Sequence, residues 1–214
     1  MQQYQEQFIQ YAIDCGVLKF GEFTLKSGRS SPYFFNTGLF NTGARLQKLG
    51  HFFARALIAS GLRPDVLFGP AYKGIPLVSA TSIALAQEEG MDTPFAFNRK
   101  EAKDHGEGGN LVGSALKGKV LILDDVITAG TSVRESVHII VQTGATPCGV
   151  LIALDRQEKG KSQNSAIEDV EKQFGIPVVA IVRLGDIITF LENDGGFPAE
   201  LTAIREYRNN YGIS

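Results

Sequence analysis

The stretch from residue 120 to residue 132 is Val120-Leu121-Ile122-Leu123-Asp124-Asp125-Val126-Ile127-Thr128-Ala129-Gly130-Thr131-Ser132. Its apolar beginning is short, contains β-branched residues and lacks polar alternation, which is typical of a strand buried on both faces of a parallel sheet. Ligands of open α/β sheets bind beyond the carboxyl ends of such strands. The stretch therefore predicts a parallel sheet with two carboxylates, Asp124 and Asp125, where a ligand would bind.

The turn that follows these carboxylates has the properties of an anion site. Residues 128 to 132 offer consecutive backbone N–H groups and three hydroxyls, and Gly130 permits a conformation that other residues resist. We expect Thr131 or Ser132 to cap a helix that begins here, and the N-terminus of a helix favours a bound anion. A phosphate held a few ångströms from two hydroxyl-binding carboxylates predicts a ribose 5-phosphate group as the ligand.

Each half of this motif also has an ordinary structural explanation. An Asp-Asp pair after a strand is often a solvated loop, and Thr-Ala-Gly-Thr-Ser is often a simple helix cap. The contiguous combination carries the prediction. No Gly-x-x-x-x-Gly-Lys-Ser/Thr loop and no dinucleotide-type Gly-x-Gly-x-x-Gly after a strand occurs in the chain.

Composition restricts the class of protein. The chain has 214 residues, 43% of them hydrophobic and 21% charged, and a formal net charge of −2. This balance argues against a nucleic-acid partner. Cys15 and Cys148 form no metal-ligand or Cys-x-x-Cys pattern, so we expect both to be reduced packing residues. We see no signal peptide and no apolar run of transmembrane length, and therefore expect a cytoplasmic protein without a membrane partner.

Strand and helix patterns alternate along the chain. We expect helices at 4–14, 43–60, 75–88, 131–143, 163–173, 185–192 and 198–209. We expect strands at 66–68, 94–97, 120–123, 150–154 and 178–182, with short strands between 17 and 36 broken by Gly21, Gly28 and Pro32, and a long polar loop over 98–114. This alternation predicts one α/β domain, 1–214, with a mostly parallel central sheet flanked by helices. Residues 1 to about 40 would form a small hood on a core of about 41–214.

Two further loops follow predicted strands and carry positive charge. Gly69-Pro70-Ala71-Tyr72-Lys73-Gly74 exposes backbone N–H groups beside a lysine, which suits a pyrophosphate; alone, it is more typical of a tight turn with a solvated lysine. The loop after strand 94–97 contains Arg99, Lys100, Lys103, His105 and three glycines, which favours a mobile anion-binding lid over a merely solvated loop. Cations near a departing pyrophosphate would stabilise its developing charge.

A third group of residues suits a planar, anionic base. The aromatic pair Phe34 and Phe35 would supply a flat wall, Lys26 would meet an anionic group, and Arg156, at the end of a strand, could bind a carboxylate through paired hydrogen bonds. Core aromatics, a surface lysine and a surface Asp–Arg pair are the competing explanations. His51 and His138 lie in predicted helices, and we expect them to be structural.

Together these segments resemble, over nearly the full length, the bacterial orotate phosphoribosyltransferase family of type I phosphoribosyltransferases. The motifs that carry the resemblance are Phe23 to Arg29 with Ser31 to Asn36, the loop 69–74, the basic loop with Arg99 to His105, and the stretch 120–132. We find no departure from the family's pattern at these positions. The resemblance implies binding of phosphoribosyl pyrophosphate (PRPP) and orotate, Mg²⁺ held mainly by pyrophosphate oxygens and water rather than by protein ligands, and a homodimer with shared active sites.

The same resemblance implies residue roles. Catalytic roles fall to Lys103, His105, Arg99 and Asp125, with the largest rate effect expected for Lys103. PRPP would contact a set of residues from the hood, both basic loops and the phosphate turn: Lys26, Tyr72, Lys73, Arg99, Lys100, Lys103, His105, Asp124, Asp125, Val126, Ile127, Thr128, Ala129, Gly130, Thr131 and Ser132. Orotate would contact Lys26, Phe34, Phe35, Thr128 and Arg156.

Three other functions fit parts of the sequence. A purine salvage phosphoribosyltransferase would share the PRPP site but has no need of Lys26 and Arg156 as partners of a base carboxylate. A PRPP-sensing regulator that binds nucleic acid is disfavoured by the net charge and by the equipped lid loop. A kinase that makes PRPP would need an ATP site, which we do not find.

Overall fold

The computed structural model describes residues 1–25, 28–103, 109–160 and 164–213, apart from the side chains of residues 102, 103 and 109. Its α-helices are α1 (Gln3–Asp14), α2 (Gly43–Ser60), α3 (Gly74–Glu89), α4 (Thr131–Gln142), α5 (Ala166–Phe174), α6 (Leu184–Asp194) and α7 (Pro198–Tyr211), with a 3₁₀ turn at Thr37–Leu39. Its strands are β1 (Leu18–Thr24), β2 (Ser30–Phe35), β3 (Val66–Gly69), β4 (Phe95–Lys103), β5 (Gly109–Gly113), β6 (Lys119–Asp124), β7 (Thr146–Asp155) and β8 (Val178–Arg183).

The central sheet has six strands in the order β5-β4-β3-β6-β7-β8. Strands β4, β3, β6, β7 and β8 run parallel, and β5 is antiparallel to β4 at one edge. This arrangement confirms the predicted α/β fold with a mostly parallel sheet. Because parallel strands end at the same edge, the residues after β3, β4, β6 and β7 meet there.

Helices cover both faces of the sheet, as the unbroken apolar strands require. Leu67, Leu121 and Leu123 point to one face and pack with α1, α2, α3, α6 and α7. Phe68 and Ile122 point to the other and pack with α4 and α5. Every residue of β3, and every residue of β6 after Lys119, is buried. Neither face of these strands meets water, and their sequences therefore do not alternate between apolar and polar residues.

The prediction of a loop over 98–114 was wrong for most of these residues. Strand β4 continues to Lys103, and β5 occupies Gly109–Gly113, with Asn98 opposite Leu111 and Phe97 opposite Val112. A pair of strands at the edge of a sheet needs apolar side chains on only one face. Strands β4 and β5 therefore contain polar residues and lack the continuous apolar run from which a buried strand is predicted. Residues 104–108, which include His105, lie outside the described part of the chain.

The predicted breaks at Gly21 and Pro32 also fall inside strands. β1 and β2 form a separate antiparallel pair, and their register shifts between Phe20 and Phe23. Gly21 and Pro32 both lie in this irregular stretch, where a strand tolerates an unpaired N–H and an unusual φ. The pair is the part of the predicted hood that stands apart from the main sheet, whereas α1 buries Phe8 and Ile9 in the common core.

Within the described ranges, none of the helices is both long and apolar enough to cross a membrane. Cys15 and Cys148 are free and half-buried, as expected of packing residues.

Candidate active site

Asp124 and Asp125 lie at the carboxyl end of β6, and both are buried. The Asp125 backbone N–H donates to Oδ1 of Asp124 at 2.9 Å. The pKa of the Asp124 carboxyl is raised to about 6, mainly by burial and also by the neighbouring charge of Asp125, against hydrogen bonds from the Asp125 backbone and the Ser132 side chain that lower it. Asp124 therefore carries its charge at a cost in folding free energy, which is typical of a functional carboxylate.

Asp125 is the junction between three parts of the chain. Its Oδ2 accepts a hydrogen bond from the Thr37 hydroxyl at 2.9 Å and lies 2.6 Å from the Lys73 Nζ. Thr37 comes from the 3₁₀ turn after β2, and Lys73 from the loop after β3. The structure thus brings the predicted pyrophosphate loop into direct contact with the predicted ribose carboxylates.

The turn at residues 128–132 leaves its donors open. Gly130 has a left-handed φ of 69° and is the N-cap of α4, without a side-chain capping hydrogen bond. The expectation that Thr131 or Ser132 caps the helix was therefore wrong: both lie in its first turn. Within the described ranges, no acceptor takes the backbone N–H groups of residues 128–132. Uncapped N–H groups at a helix N-terminus form an anion site.

The loop from Gly69 to Gly74 folds tightly on itself. A Cβ on Gly69 would lie 2.2 Å from the Gly74 carbonyl oxygen, so this close approach requires glycine. The peptide bond between Ala71 and Tyr72 is cis, and the Ala71 N–H donates to Oδ1 of Asn98 at 2.8 Å. Tyr72 is 68% exposed. Asn98 therefore ties the loop to the start of the basic segment on β4.

The basic segment itself is described only in part. Arg99 and Lys100 lie on β4, and the Lys100 Nζ is 5.8 Å from the centre of the Tyr72 ring. The backbone of Lys103 ends β4, but its side chain, together with all of Lys26 and His105, lies outside the described residues. Their predicted roles stay predictions.

Phe34 and Phe35 do not form one wall. Adjacent residues of a strand point to opposite faces: Phe34 is 38% exposed and stacks on Phe23, whereas Phe35 turns inward against Phe8. The predicted shared wall was therefore wrong, and Phe34 alone presents its ring to solvent beside the end of β1.

Arg156 belongs to a half-buried cluster between the hood and the end of β7. Its Nε donates to Oε1 of Glu158 at 2.7 Å, and its guanidinium lies 4.3 Å from the centre of the Tyr33 ring. Burial opposes the charge on Arg156, but Tyr33 and Glu158 outweigh it and raise the pKa above its ordinary value. The competing explanation, an Asp155–Arg156 pair, does not hold because the Asp155 carboxylate accepts from the Gln157 backbone N–H instead.

Sequence reasoning missed three residues that hydrogen-bond to the predicted site: Thr37 binds Asp125, Asn98 binds the loop 69–74, and Glu158 binds Arg156. Their polar side chains follow strands or lie in turns, which is too common a pattern to single them out. The sheet order brings Asn98 to the edge that carries Asp125, and Thr37 reaches Asp125 from the turn after β2, outside the central sheet.

The donor set at this edge suits a Mg²⁺ ion that keeps most of its own ligands. Within the described ranges, no group of three or more His, Cys, Asp or Glu side chains could enclose a metal. Asp124 and Asp125 are two hard oxygen donors beside an anion site. Mg²⁺ commonly binds through one or two carboxylates together with water and substrate phosphates.

A family model described as "Phosphoribosyl transferase domain" matches residues 37–181, which span the Thr37 turn, both loops and the phosphate turn. Fold and site thus define a phosphoribosyltransferase of type I. The chain is 64% identical to orotate phosphoribosyltransferase of Methylococcus capsulatus over 214 residues and 61% identical to that of Vibrio parahaemolyticus over 213 residues, with both chains fully covered. It superposes on the crystal structure of orotate phosphoribosyltransferase of Francisella tularensis with a TM-score of 0.88 at 46% identity, covering 96% of this chain and 99% of that one. The chain belongs to the orotate phosphoribosyltransferase family.

Proposed function

We propose that this enzyme transfers the 5-phosphoribosyl group of PRPP to N1 of orotate, in a Mg²⁺-dependent step of pyrimidine nucleotide synthesis that yields orotidine 5′-monophosphate and pyrophosphate. The observation that carries the proposal is the contact between Lys73 and Asp125, beside the open turn at 128–132. This contact brings the proposed sites for the ribose, the 5-phosphate and the pyrophosphate of PRPP together at one edge of the sheet, in a chain of this family.

The chemistry breaks the bond between C1 of ribose and pyrophosphate and forms a bond from C1 to N1 of orotate. The sugar in the transition state resembles an oxocarbenium ion, whose positive charge the nearby carboxylates stabilise. Asp124 and Asp125 accept hydrogen bonds from the ribose hydroxyls, and residues 126–132 hold the 5-phosphate. A bound Mg²⁺ would keep mostly water and substrate oxygens as ligands, with Asp124 and Asp125 as the available protein donors, and would neutralise charge on the leaving group.

The leaving group is assigned to the cations of two loops. Tyr72, Lys73, Arg99 and Lys100 contact the pyrophosphate, and Lys103 and His105 approach it as the basic loop closes. His105 assists Lys103 or passes a proton to the leaving group. Lys73 is paired with Asp125, so PRPP binding would replace that contact with phosphate oxygens for the lysine and sugar hydroxyls for the carboxylate.

The base site is assigned to the hood and the end of β7. Phe34 and Thr128 contact the orotate ring, and Lys26 and Arg156 bind its carboxylate. This group distinguishes orotate from uracil and from purines, because a half-buried arginine favours an anionic base and gains no second carboxylate partner from a neutral one.

Replacing Arg156 by alanine should raise KM for orotate by about 20-fold while KM for PRPP changes less than about threefold, because only orotate loses a charge-assisted hydrogen bond. Steady-state kinetics with each substrate varied in turn measures both constants. Replacement of the exposed Arg63 provides a control with the same loss of charge. An equal rise in both constants for Arg156→Ala would contradict the role in orotate recognition.

We further propose a homodimer with shared active sites in the cytoplasm, where free thiols such as Cys15 and Cys148 persist. Helix α3 supports the dimer. Its outward residues include Pro76, Ile83 and Ala86, and no charged residue precedes Glu88. A helix that is apolar on all sides is normally buried, and a second copy of this chain is the proposed cover.

A mixture of two inactive variants tests the shared site. If Lys103 of one subunit serves Asp124 of the other, equal amounts of Lys103→Ala and Asp124→Asn, unfolded and refolded together, should recover about a quarter of wild-type activity, because half the dimers contain one intact site. Each variant refolded alone is the control. Recovery of wild-type mass as a dimer without activity would place Lys103 in its own subunit's site.

The first measurement is the fall in orotate absorbance with PRPP and Mg²⁺, run beside uracil, adenine and hypoxanthine. Loss of the orotate signal only when PRPP and Mg²⁺ are both present supports the reaction, the base and the metal together. Turnover of a purine instead would make the protein a salvage phosphoribosyltransferase. PRPP binding without turnover of any base would favour the PRPP-sensing regulator.

A further inference from the structure

The loop after β7 is held by the C-terminal end of the chain. The Lys159 N–H donates to the Tyr211 carbonyl at 2.8 Å, and the Ile213 N–H donates to the Gln157 carbonyl at 2.9 Å. These bonds pair residues 157–159 with 211–213. Gln157 has a φ of 51°, a conformation that non-glycine residues rarely adopt. Such a residue persists where its surroundings hold it in place, which is common at functional sites.

Glu158 lies at the centre of this pairing, and its carboxylate binds three side chains. Oε1 accepts hydrogen bonds from Nε of Arg156 at 2.7 Å and from the Tyr33 hydroxyl at 3.3 Å, and Oε2 accepts from Nη1 of Arg29 at 3.4 Å. The side chain is only 15% exposed. One carboxylate thus joins the hood, through Arg29 and Tyr33, to the arginine at the end of β7.

The contacts hold the Arg156 guanidinium in one orientation. Its Nε and Nη2 both lie 2.7 Å from Oε1 of Glu158, and Nη2 also donates to the Ser31 hydroxyl at 3.2 Å. The Tyr33 ring packs against the guanidinium face. The Nε–Nη2 side is therefore occupied, and the opposite, Nη1 side is left for another acceptor.

The charges of the cluster suit one additional anion. Arg29 and Arg156 face a single carboxylate, that of Glu158, which leaves one excess positive charge. The buried Tyr207 hydroxyl belongs to the same cluster and lies close to Arg29, Arg156 and Glu158. A bound carboxylate would balance the charge.

We propose that Glu158 is a positioning residue that orients Arg156 for the carboxylate of the base and fastens the hood over it. The proposal rests on the proposed function, because it assumes that Arg156 meets that carboxylate. Its specific consequence is selectivity: without Glu158, the site should lose its preference for a base that bears a carboxylate and keep its affinity for the rest of the nucleotide.

The experiment compares two nucleotides that differ only in that group. Orotidine 5′-monophosphate has a carboxylate on its base, and uridine 5′-monophosphate lacks it. Dissociation constants for both are measured by titration calorimetry on the wild type, Glu158→Ala and Glu158→Gln. The control is Glu192→Gln, which removes a carboxylate from an exposed ion pair with Arg205 on α6 and α7.

We expect Glu158→Ala to weaken the binding of orotidine 5′-monophosphate about 10- to 100-fold and the binding of uridine 5′-monophosphate less than about threefold. Glu158→Gln should fall between, because its amide oxygen still accepts the Arg156 hydrogen bonds without the charge. The control should match the wild type with both nucleotides.

An equal loss of affinity for both nucleotides in the nearly isosteric Glu158→Gln variant would mean that Glu158 only stabilises the fold. Unchanged affinity for both would mean that Arg156 needs no positioning. Either result overturns the proposal. Failure of the proposed function has a different signature. In that case the wild type itself would bind neither nucleotide, or would not distinguish the two.

Discussion

Replacing Asp124 by asparagine should make the protein more stable at pH 8 and nearly inactive. Burial raises the pKa of this carboxyl from 3.8 to about 6, a difference that corresponds to about 3 kcal/mol against folding when the group is ionised. Asparagine removes that cost but loses the stronger hydrogen bonds of a charged acceptor. We expect a net gain of about 1 to 2 kcal/mol, or roughly 3 to 6 °C in Tm for a chain of this size.

The pH dependence identifies the cause. Between pH 3.8 and 6 the folded protein holds a proton on Asp124 that the unfolded chain has released, so stability falls as pH rises through this window. The advantage of Asp124→Asn over the wild type should therefore be absent below pH 3.8, grow through the window and be complete above pH 6. Thermal unfolding of both proteins from pH 4 to pH 8 measures the difference, in which contributions from other carboxyls cancel.

Activity should change in the opposite direction. The amide keeps one acceptor for a ribose hydroxyl but brings no negative charge to the oxocarbenium-like sugar, so we expect kcat/KM to fall by about 100-fold or more. Asp92→Asn is the matched control, because Asp92 is exposed on the connection between α3 and β4. Loss of stability at pH 8, or activity near that of the wild type, would show that Asp124 carries no functional charge.

Replacing Lys103 by alanine should lower kcat by about 100- to 1,000-fold, the largest rate effect that we expect from the basic loop. A cation that reaches the pyrophosphate as the C1–O bond breaks stabilises charge that the ground state does not yet carry, so kcat should fall more than KM rises. Single-turnover measurement of product formation separates this chemical step from product release.

Two other lysines provide the comparison. Lys100 lies on β4 beside the exposed Tyr72 ring, and Lys100→Ala should lower kcat by less than about tenfold. Lys117 is exposed between β5 and β6, and its replacement should have no effect. An unchanged kcat for Lys103→Ala, or a larger loss for Lys100→Ala, would be evidence against the assignment of the main catalytic cation to Lys103.

Features that depend on short stretches of sequence were predictable. The apolar run before Asp124 predicted a buried parallel strand because nothing polar faces either layer of helices, and Gly130 predicted the left-handed residue at the start of α4. Two of the corrections in local structure have local causes as well. Gly130 takes the capping position itself, and the polar β4–β5 pair lies at the sheet edge, where apolar residues are not required on both faces.

Features that depend on the order of strands were not predictable. Lys73 is 52 residues from Asp125, and Thr37 is 88 residues away, yet both bind the same carboxylate oxygen. Lys73 reaches it because β3 and β6 are neighbours in the sheet, and Thr37 reaches it from the turn after β2, outside that sheet. Glu158 carries no signal in the sequence beyond being two residues from Arg156. The sequence motifs thus predicted candidate site residues, and the tertiary fold decides which of them touch.

The ion pair between Lys73 and Asp125 has a consequence for ligand discrimination. A sugar phosphate without a pyrophosphate offers hydroxyls to Asp125 but no replacement partner to Lys73, so separating the pair leaves an ammonium group to water. Free pyrophosphate satisfies Lys73 and leaves Asp125 without a hydroxyl donor from a sugar. With the proposed roles of Lys73 and Asp125, only a molecule that carries both groups exchanges the internal contact for two new ones, so the enzyme should respond to the whole donor more than to the sum of its fragments.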